Sequence, residues 1–240
     1  MESRELTINR LVSEDMSKVS CETCPSGNGG FFCAVKEPQL SFVDEKKSHK
    51  SYKKGHVLFE RGSTPEGVYC VIKGITKIET ENEEGKTHIL RLVGPGNLVG
   101  YRALFGKKKY EARAVVHEDS EICFIPKDVI FEIVEKDPQY TLKFLEMLSE
   151  DIKQAESRLC SATDKATPAR VAETILFLHT HYDPIKPWTR KDIADWAGTT
   201  PETVMRQISA FEDEGVLGSE GRKVVILNKD RLKDLAEAAE

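Results

Sequence analysis

Between Tyr52 and Pro126 short apolar runs alternate with glycine-bearing turns: HVLFERG, GVYCVIKG, ITKIET, HILRLVGPG, ARAVV and EICFIP. A turn roughly every ten residues predicts the strands of a small sandwich or barrel. After Asp137-Pro138 the period changes. Asp is a helix cap and Pro suits the first helical position, so a long helix is expected from there to about Ala162. Leu145, Leu148, Ile152, Ala155, Leu159 and Ala162 recur at spacings of 3, 4, 3, 4 and 3. That is the a/d seam of a coiled coil, about two and a half heptads long. A second stripe, Leu142, Phe144 and Met147, is expected to lie back on the β-structure. The charged flanks Glu150, Asp151, Lys153 and Glu156 favour pairing with a second copy of the chain over burial in a bundle.

Ser161–Asp164 reads as a hinge. Thr167-Pro168 opens the next helix, with Val171, Ile175 and Leu178 inward and His179 and His181 near its negative end. The stretch TRKDIADWAGTTPETVMRQISAFEDEGVL then reads as two short helices around a tight turn. Thr189 caps the first and Asp192 returns the bond. Ile193, Trp196 and Ala197 form its apolar face, and Gly198 ends it. Thr200 caps the second, with Pro201 at its first position. Val204, Ile208 and Phe211 point inward; Glu202, Met205 and Arg206 fall on the opposite face. Val216-Leu217, a turn at GSEG, and a strand Lys223–Leu227 follow, and Asn228 caps a last polar helix. Two helices and a hairpin in this order predict a winged helix-turn-helix, its second helix entering a DNA major groove.

A chain of 240 residues suffices for two cores. No apolar run approaches the roughly 18 residues that span a bilayer, and MESRELTINRLVSEDM lacks an apolar signal core. The expected location is cytoplasmic, away from membranes. The net charge is −5, and residues 165–240 hold 11 Lys/Arg against 13 Asp/Glu. DNA binding therefore has to rest on local cations: Lys186, Arg190, Lys191, Arg206, Arg222 and Lys223. Weak binding to random DNA, and dependence on dimerisation, are expected. For base readout Arg206 suits a guanine edge and Glu202 a cytosine amino group. Met205 is placed to meet a thymine methyl.

Residues 1–50 read as irregular. They contain SCETCPSGNGGFFCAV, with two residues between Cys21 and Cys24 and eight between Cys24 and Cys33. Thiolate sets of this kind take zinc or an iron–sulfur cluster. A CxxC pair can also be a redox dithiol, but no strand-to-helix start precedes it. Nor is there a G-x-G-x-x-G, a P-loop or a nucleophile elbow, so no enzyme is expected. Cys70 and Cys123 fall in strands and, taken singly, read as packing residues.

The order of these elements, with VYCVIKG, GNLVGYRALFG and the helix-turn-helix stretch, resembles the Crp/Fnr family of bacterial transcription regulators along nearly the whole chain. The resemblance implies an α+β fold: an N-terminal β-roll of the cupin-like, cyclic-nucleotide-binding jelly-roll type, a long dimerisation helix, and a C-terminal winged helix-turn-helix. It divides the chain into a cysteine segment 1–50, a sensor roll 51–136, a dimer helix 137–162 and a DNA-binding domain 163–240. Within the family it is similar to the oxygen-sensing Fnr branch, which adds a fourth cysteine before Ile-Pro at the end of the roll, here Cys123 in ICFIP. That implies a [4Fe-4S] cluster on Cys21, Cys24, Cys33 and Cys123, responsive to oxygen or nitric oxide. It also implies a homodimer, palindromic double-stranded operators with TTGA-type half-sites, and RNA polymerase as a partner. Thr200, Arg190 and Lys191 join Glu202, Met205 and Arg206 as DNA contacts, and Leu145, Leu148, Ile152, Ala155 and Leu159 form the dimer interface. Two departures stand out. The Cys24–Cys33 interval is longer than in that branch, and Ala155 stands where its members carry an acid on the seam. Cyclic nucleotide is the rival ligand within the family, but Tyr101 follows Gly100 and Glu111-Ala112 replaces the phosphate-binding Arg-Ser or Arg-Thr pair.

Overall fold

The computed structural model describes residues 20–22, 24, 30–32, 35–106, 108–182 and 187–238. Two four-stranded antiparallel sheets make the roll. The first has the order β1 (Ser48–Tyr52), β8 (Ser120–Pro126), β3 (Gly67–Lys73), β6 (Leu98–Val99). The second has β2 (Val57–Phe59), β7 (Arg113–Val116), β4 (Thr76–Glu81), β5 (Thr87–Val93). Val71 and Val99 from one sheet meet Val93 and Ala114 from the other, with Tyr69, Leu58, Phe59 and Ile78 at the margin. Because side chains alternate along a strand, Val68, Cys70 and Ile72 leave the first sheet on its opposite face. There they meet Cys123 and Ile125 in a second apolar cluster. Gly74 turns β3 into β4 at φ +89°, and a Cβ there would stand 2.1 Å from the Ser120 hydroxyl oxygen, so both backbone and space require glycine.

The strands expected from the apolar runs are present. Other elements depart from the sequence reading. Residues 1–50 are not irregular throughout: α1 spans Gln39–Lys46 and β1 starts at Ser48. β1 is legible only through its pairing with β8, because SHKSY is an exposed edge strand with little apolar signal. The turn pattern does not mark two helices inside the roll, α2 (Tyr101–Phe105) and α3 (Lys127–Lys136). α3 buries Val129, Ile130 and Ile133 on the outer face of the first sheet.

α4 runs Pro138–Asp164, capped by Asp137 accepting from the Gln139 N–H at 2.9 Å. The helix continues through the expected hinge, and the break falls at Lys165-Ala166 instead. Thr163 lies within the helix, its hydroxyl donating to the Cys160 and Leu159 carbonyls. Tyr140 and Phe144 are buried against the roll, and Met147 and Leu148 lean on the same cluster. Leu142, expected on that inner stripe, is 58% exposed. Leu145, Ile152, Ala155 and Leu159 are all exposed along the outer face.

α5 (Thr167–His181), α6 (Arg190–Ala197), α7 (Pro201–Asp213), β9 (Leu217–Glu220), β10 (Lys223–Ile226) and α8 (Lys229–Glu237) complete the chain. Their core includes Val171, Ile175, Leu178, Ile193, Val204, Ile208, Phe211 and Leu232, and it is continuous with Ile75, Ile89 and Leu92 of the roll. β9 extends through the expected turn, so the wing reverses at Gly221-Arg222. Among the described residues no helix is long and apolar enough to cross a membrane.

Polar contacts reinforce the junction of the two units. Lys77 on β4 donates to Asp192 of α6 at 2.9 Å. Burial works to raise the Asp192 carboxyl, but Lys77, the Thr189 hydroxyl and His117 outweigh it and hold it below the usual range. Arg158 of α4 donates to the Leu90 carbonyl of β5 at 2.7 Å and to the Trp196 carbonyl of α6 at 2.9 Å, its guanidinium 4.0 Å from the Trp196 ring centre. His117 is wholly buried, stacked 4.1 Å from Trp188, with neither ring nitrogen hydrogen-bonded. Burial pushes its imidazole down to about 4, against the pull of Asp192. In the unfolded chain the ring protonates near its ordinary value of about 6.5. Between these values the unfolded state binds more protons, so stability falls as pH falls. His117 is expected to remove roughly 3 kcal/mol of stability between pH 6.5 and pH 4. Denaturant titrations across that range check this: His117→Phe, which keeps the stacking, should flatten that part of the profile.

Candidate metal centre and nucleic-acid interface

The cysteine-bearing leader packs on the outer face of the first sheet. Phe31, Phe32, Val35 and Cys21 are buried there beside Cys70, Cys123 and Ile125, with Cys24 at the edge. The leader is also bonded in place. The Phe31 N–H donates to the Gly96 carbonyl at 3.1 Å, and the Lys36 N–H to the Tyr140 hydroxyl of α4 at 3.1 Å. The Phe31 ring lies 4.3 Å from that of Phe144 on the inner face of α4. Cys21 and Cys24 are joined by a turn in which the Cys24 N–H reaches the Cys21 carbonyl at 3.5 Å.

Two residues outside the cysteine motif hold Cys21. Asp44 of α1 accepts from the Cys21 N–H at 2.9 Å and from the Ser20 hydroxyl at 2.8 Å. Lys47, next after α1, pairs with Asp44 and brings its Nζ to 3.0 Å from the Cys21 sulfur. The Lys47 side chain is only 4% exposed. Burial opposes its charge, yet Asp44 and the sulfurs of Cys21 and Cys123 outweigh that and keep the ammonium above its usual range. Sequence reasoning missed both residues. The available signal is the Asp44-x-x-Lys47 spacing in DEKK, which cannot tell buried Lys47 from its exposed neighbour Lys46.

Burial pushes the Cys21 thiol up to about 12, against the Lys47 hydrogen bond, and the Cys123 thiol to about 11. Both stay protonated at neutral pH unless a metal displaces the proton. Sulfur donors, an apolar wall and one buried cation suit a soft, anionic thiolate centre. Among the described residues no three His, Cys, Asp or Glu side chains stand close enough to hold a metal ion. Cys33, the remaining expected sulfur, lies outside the described residues.

The cleft between roll, α4 and α6 has a volume of about 1090 Å³ and is lined by Arg91, Gly100, Tyr101, Glu111, Asp151 and Trp196 among others. Tyr101 turns inward and is fully buried, donating to Asp151 of α4 at 2.5 Å; Arg91 pairs with the same carboxylate. Thus Asp151, read as a charged flank of the seam, ties α4 to the roll. Arg113, the cation nearest the cyclic-phosphate position, is held by Glu79 and Glu81, each at 2.9 Å.

The helix-turn-helix is built by its caps. Thr189 and Asp192 form a reciprocal capping box on α6, Gly198 ends it at φ +69°, and Thr200 accepts from the Thr203 N–H to start α7. α7 buries Val204, Ile208 and Phe211, leaving Glu202, Met205 and Arg206 exposed on one side. Thr200 is exposed at its start. Arg190 reaches toward the Arg222 carbonyl of the wing at 3.5 Å, and Lys191 is tied to Asp195 at 2.8 Å. Lys186 lies outside the described residues. Asp192 and Asp195 are both buried on α6, where the pattern marks only Ile193, Trp196 and Ala197.

Two family descriptions match the chain: a cyclic nucleotide-binding domain over residues 49–137 and a Crp-like helix-turn-helix domain over residues 169–235. The fumarate and nitrate reduction regulatory protein of Escherichia coli is 27% identical over 243 residues, covering 97% of this chain and 96% of that protein. Its counterpart in Vibrio cholerae is 26% identical over 227 residues, covering 91% and 90%. Among solved structures, FixK2 from Bradyrhizobium japonicum superposes with a TM-score of 0.71 at 25% identity, covering 81% of this chain and 99% of that one. A transcriptional regulator of the CRP/FNR family from Thermus thermophilus gives 0.68 at 26% identity, covering 80% and 100%. Regulators of this kind bind DNA and act as dimers rather than as enzymes. With the β-roll, the long helix and the capped helix-turn-helix in the same order, the chain belongs to the Crp/Fnr family of transcription regulators.

Proposed function

We propose that this regulator is controlled by a [4Fe-4S] cluster held by Cys21, Cys24, Cys33 and Cys123, and that it reads palindromic DNA as a homodimer. The observation that carries the reading is the convergence of Cys21, Cys24 and Cys123 on one apolar cluster with the Lys47 ammonium 3.0 Å from the Cys21 sulfur. Asp44 already pairs with the buried Lys47, and the anionic charge of a thiolate-ligated cluster would give the same ammonium a second partner on its Cys21 side. The fumarate and nitrate reduction regulators among the relatives support the same branch. The chemistry such a cluster supplies when bound is an oxygen-labile cross-link between leader and roll, which nitric oxide also attacks.

The chain's own residues carry the signal onward. The leader rests on α4 through Phe31 on Phe144 and Lys36 on Tyr140. Displacing the leader therefore uncovers the inner face of α4. The outer face of that helix carries Leu145, Ile152, Ala155 and Leu159, which pair with a second copy, while Leu148 is shared with the roll. At the far end Arg158 bonds α6, so the seam also sets the attitude of the reading head. The two α7 helices of a dimer then meet successive major grooves about one turn apart. Arg206 takes a guanine, Glu202 a cytosine amino group, Met205 a thymine methyl; Thr200, Arg190 and Lys191 hold the backbone. TTGA-type half-sites and contact with RNA polymerase complete the reading.

Iron and acid-labile sulfide assays on anaerobically purified protein test the trigger. About four irons per chain and brown colour are expected, with loss of both in Cys123→Ser and reduced retention in Lys47→Met. Colourless protein loaded with zinc overturns the cluster. Ile152→Glu is expected to shift the dimer to monomer in sedimentation velocity, since it sets like charges across the seam. Arg206→Ala should cost about 1–3 kcal/mol of discrimination at one guanine, measured with single-base operator variants. Equal weakening on operator and random DNA would show that Arg206 contacts only the backbone.

A further inference from the structure

Cys70 plays no part in the site described above, yet it is the direct cross-strand neighbour of Cys123. The antiparallel register of β3 and β8 sets the two residues opposite each other, with His49 of β1 on the far side of Cys123. Opposed residues in an antiparallel pair share a face. Both thiols accordingly lie in the apolar cluster beneath the leader, 8% and 4% exposed, and neither is in a disulfide. Opposed residues have Cα atoms about 4.5–5.5 Å apart, inside the range of about 4.4–6.8 Å that a disulfide spans. The bridge therefore needs side-chain rotation rather than movement of the sheet.

We propose that Cys70 and Cys123 form a reversible dithiol–disulfide pair, closed by hydroperoxides. Once solvent reaches the pair one thiol ionises, and its thiolate attacks the peroxide O–O bond, giving a sulfenic acid and an alkoxide (hydroxide from hydrogen peroxide) that takes up the released proton to leave as alcohol or water. The second thiol attacks that sulfur; the S–S bond forms and water leaves with the remaining oxygen. Two sulfurs together lose two electrons, the peroxide oxygens gain them, and both thiol protons end on the oxygen products. Burial under α1 and the leader makes closure slow, so it follows displacement of the leader. The consequence rests on the proposed function: with Cys123 as a cluster ligand, the bridge removes one donor and blocks reloading until a thiol reductant reopens it. It also shields Cys123 from irreversible oxidation. The disulfide itself does not depend on that reading.

The test uses the full-length metal-free protein, exposed to hydrogen peroxide, acid-quenched, alkylated under denaturing conditions and mapped by mass spectrometry. The expected result is a peptide pair joined through Cys70 and Cys123, two hydrogens lighter than the separate peptides, and split by dithiothreitol. Cys123 joined to Cys21 or Cys24, or Cys70 still fully alkylated after treatment, overturns the proposal. In Cys70→Ala and Cys70→Ser, peroxide is expected to carry Cys123 to the sulfinic acid, which dithiothreitol does not reverse. Anaerobic iron content of both variants should match the parent chain; loss of iron would make Cys70 a ligand and overturn the assignment. If the parent chain binds no iron yet forms the Cys70–Cys123 bridge, the cluster reading fails and the redox pair stands.

Discussion

A stiff helix cannot present its two faces to different partners independently. At about 1.5 Å per residue, the 27 residues of α4 extend about 40 Å. The inner face near the start meets the leader and roll through Tyr140 and Phe144; the outer face leaves Leu145, Ile152 and Leu159 uncovered. Its last turns reach α6 through Arg158. Leader, exposed apolar stripe and helix-turn-helix are thus three loads on one rod. A rotation that suits one of them is felt by the other two. The helix that joins them runs unbroken to Asp164.

The rod is not held by apolar contact alone. Asp151 receives the Tyr101 hydroxyl and Arg91, Arg158 spans the Leu90 and Trp196 carbonyls, and Lys77 meets the capping carboxylate of α6. Each of these is a half-buried or buried ion or dipole with a named partner. Removing one partner leaves the other desolvated, which costs more than the pair contributes when whole. Such contacts favour a small number of discrete arrangements over a continuum. The apolar continuity between Ile75, Ile89, Leu92 and the helix-turn-helix core adds affinity for this arrangement without specifying it.

Much of this was legible in the chain. The strands announced themselves by turns at regular spacing, and the caps of α6 and α7 were readable residue by residue, because capping is local chemistry: Thr189 with Asp192, Gly198, then Thr200 with Pro201. The outward set Glu202, Met205 and Arg206 followed from helical phase. Elements whose signal is not local escaped. β1 is nearly all polar and exists as a strand because β8 pairs with it. Asp151 looked like a charged flank of the seam because nothing in its neighbourhood along the chain tells of Tyr101 and Arg91. Lys47 looked like any lysine in a charged run. Its burial is created by a leader more than twenty residues upstream and a strand far downstream.

The same reasoning explains why the cysteines divide as they do. A CxxC pair is visible as a motif because two donors in one turn are close in sequence. Cys123 could be linked to them only through resemblance to a family, and Cys70 not at all, since register between strands is a tertiary fact. Yet in the folded chain Cys70 is nearer to Cys123, by one strand spacing, than sequence separation would ever suggest. The outer face of the first sheet therefore does two jobs with one row of side chains. It supplies the wall on which the leader packs, and it sets a second thiol beside the wall's own sulfur. Were the leader displaced, a wall with Cys123 alone would leave that sulfur open to irreversible oxidation. With Cys70 opposite, the same oxidant meets a pair whose product a cellular thiol can reverse.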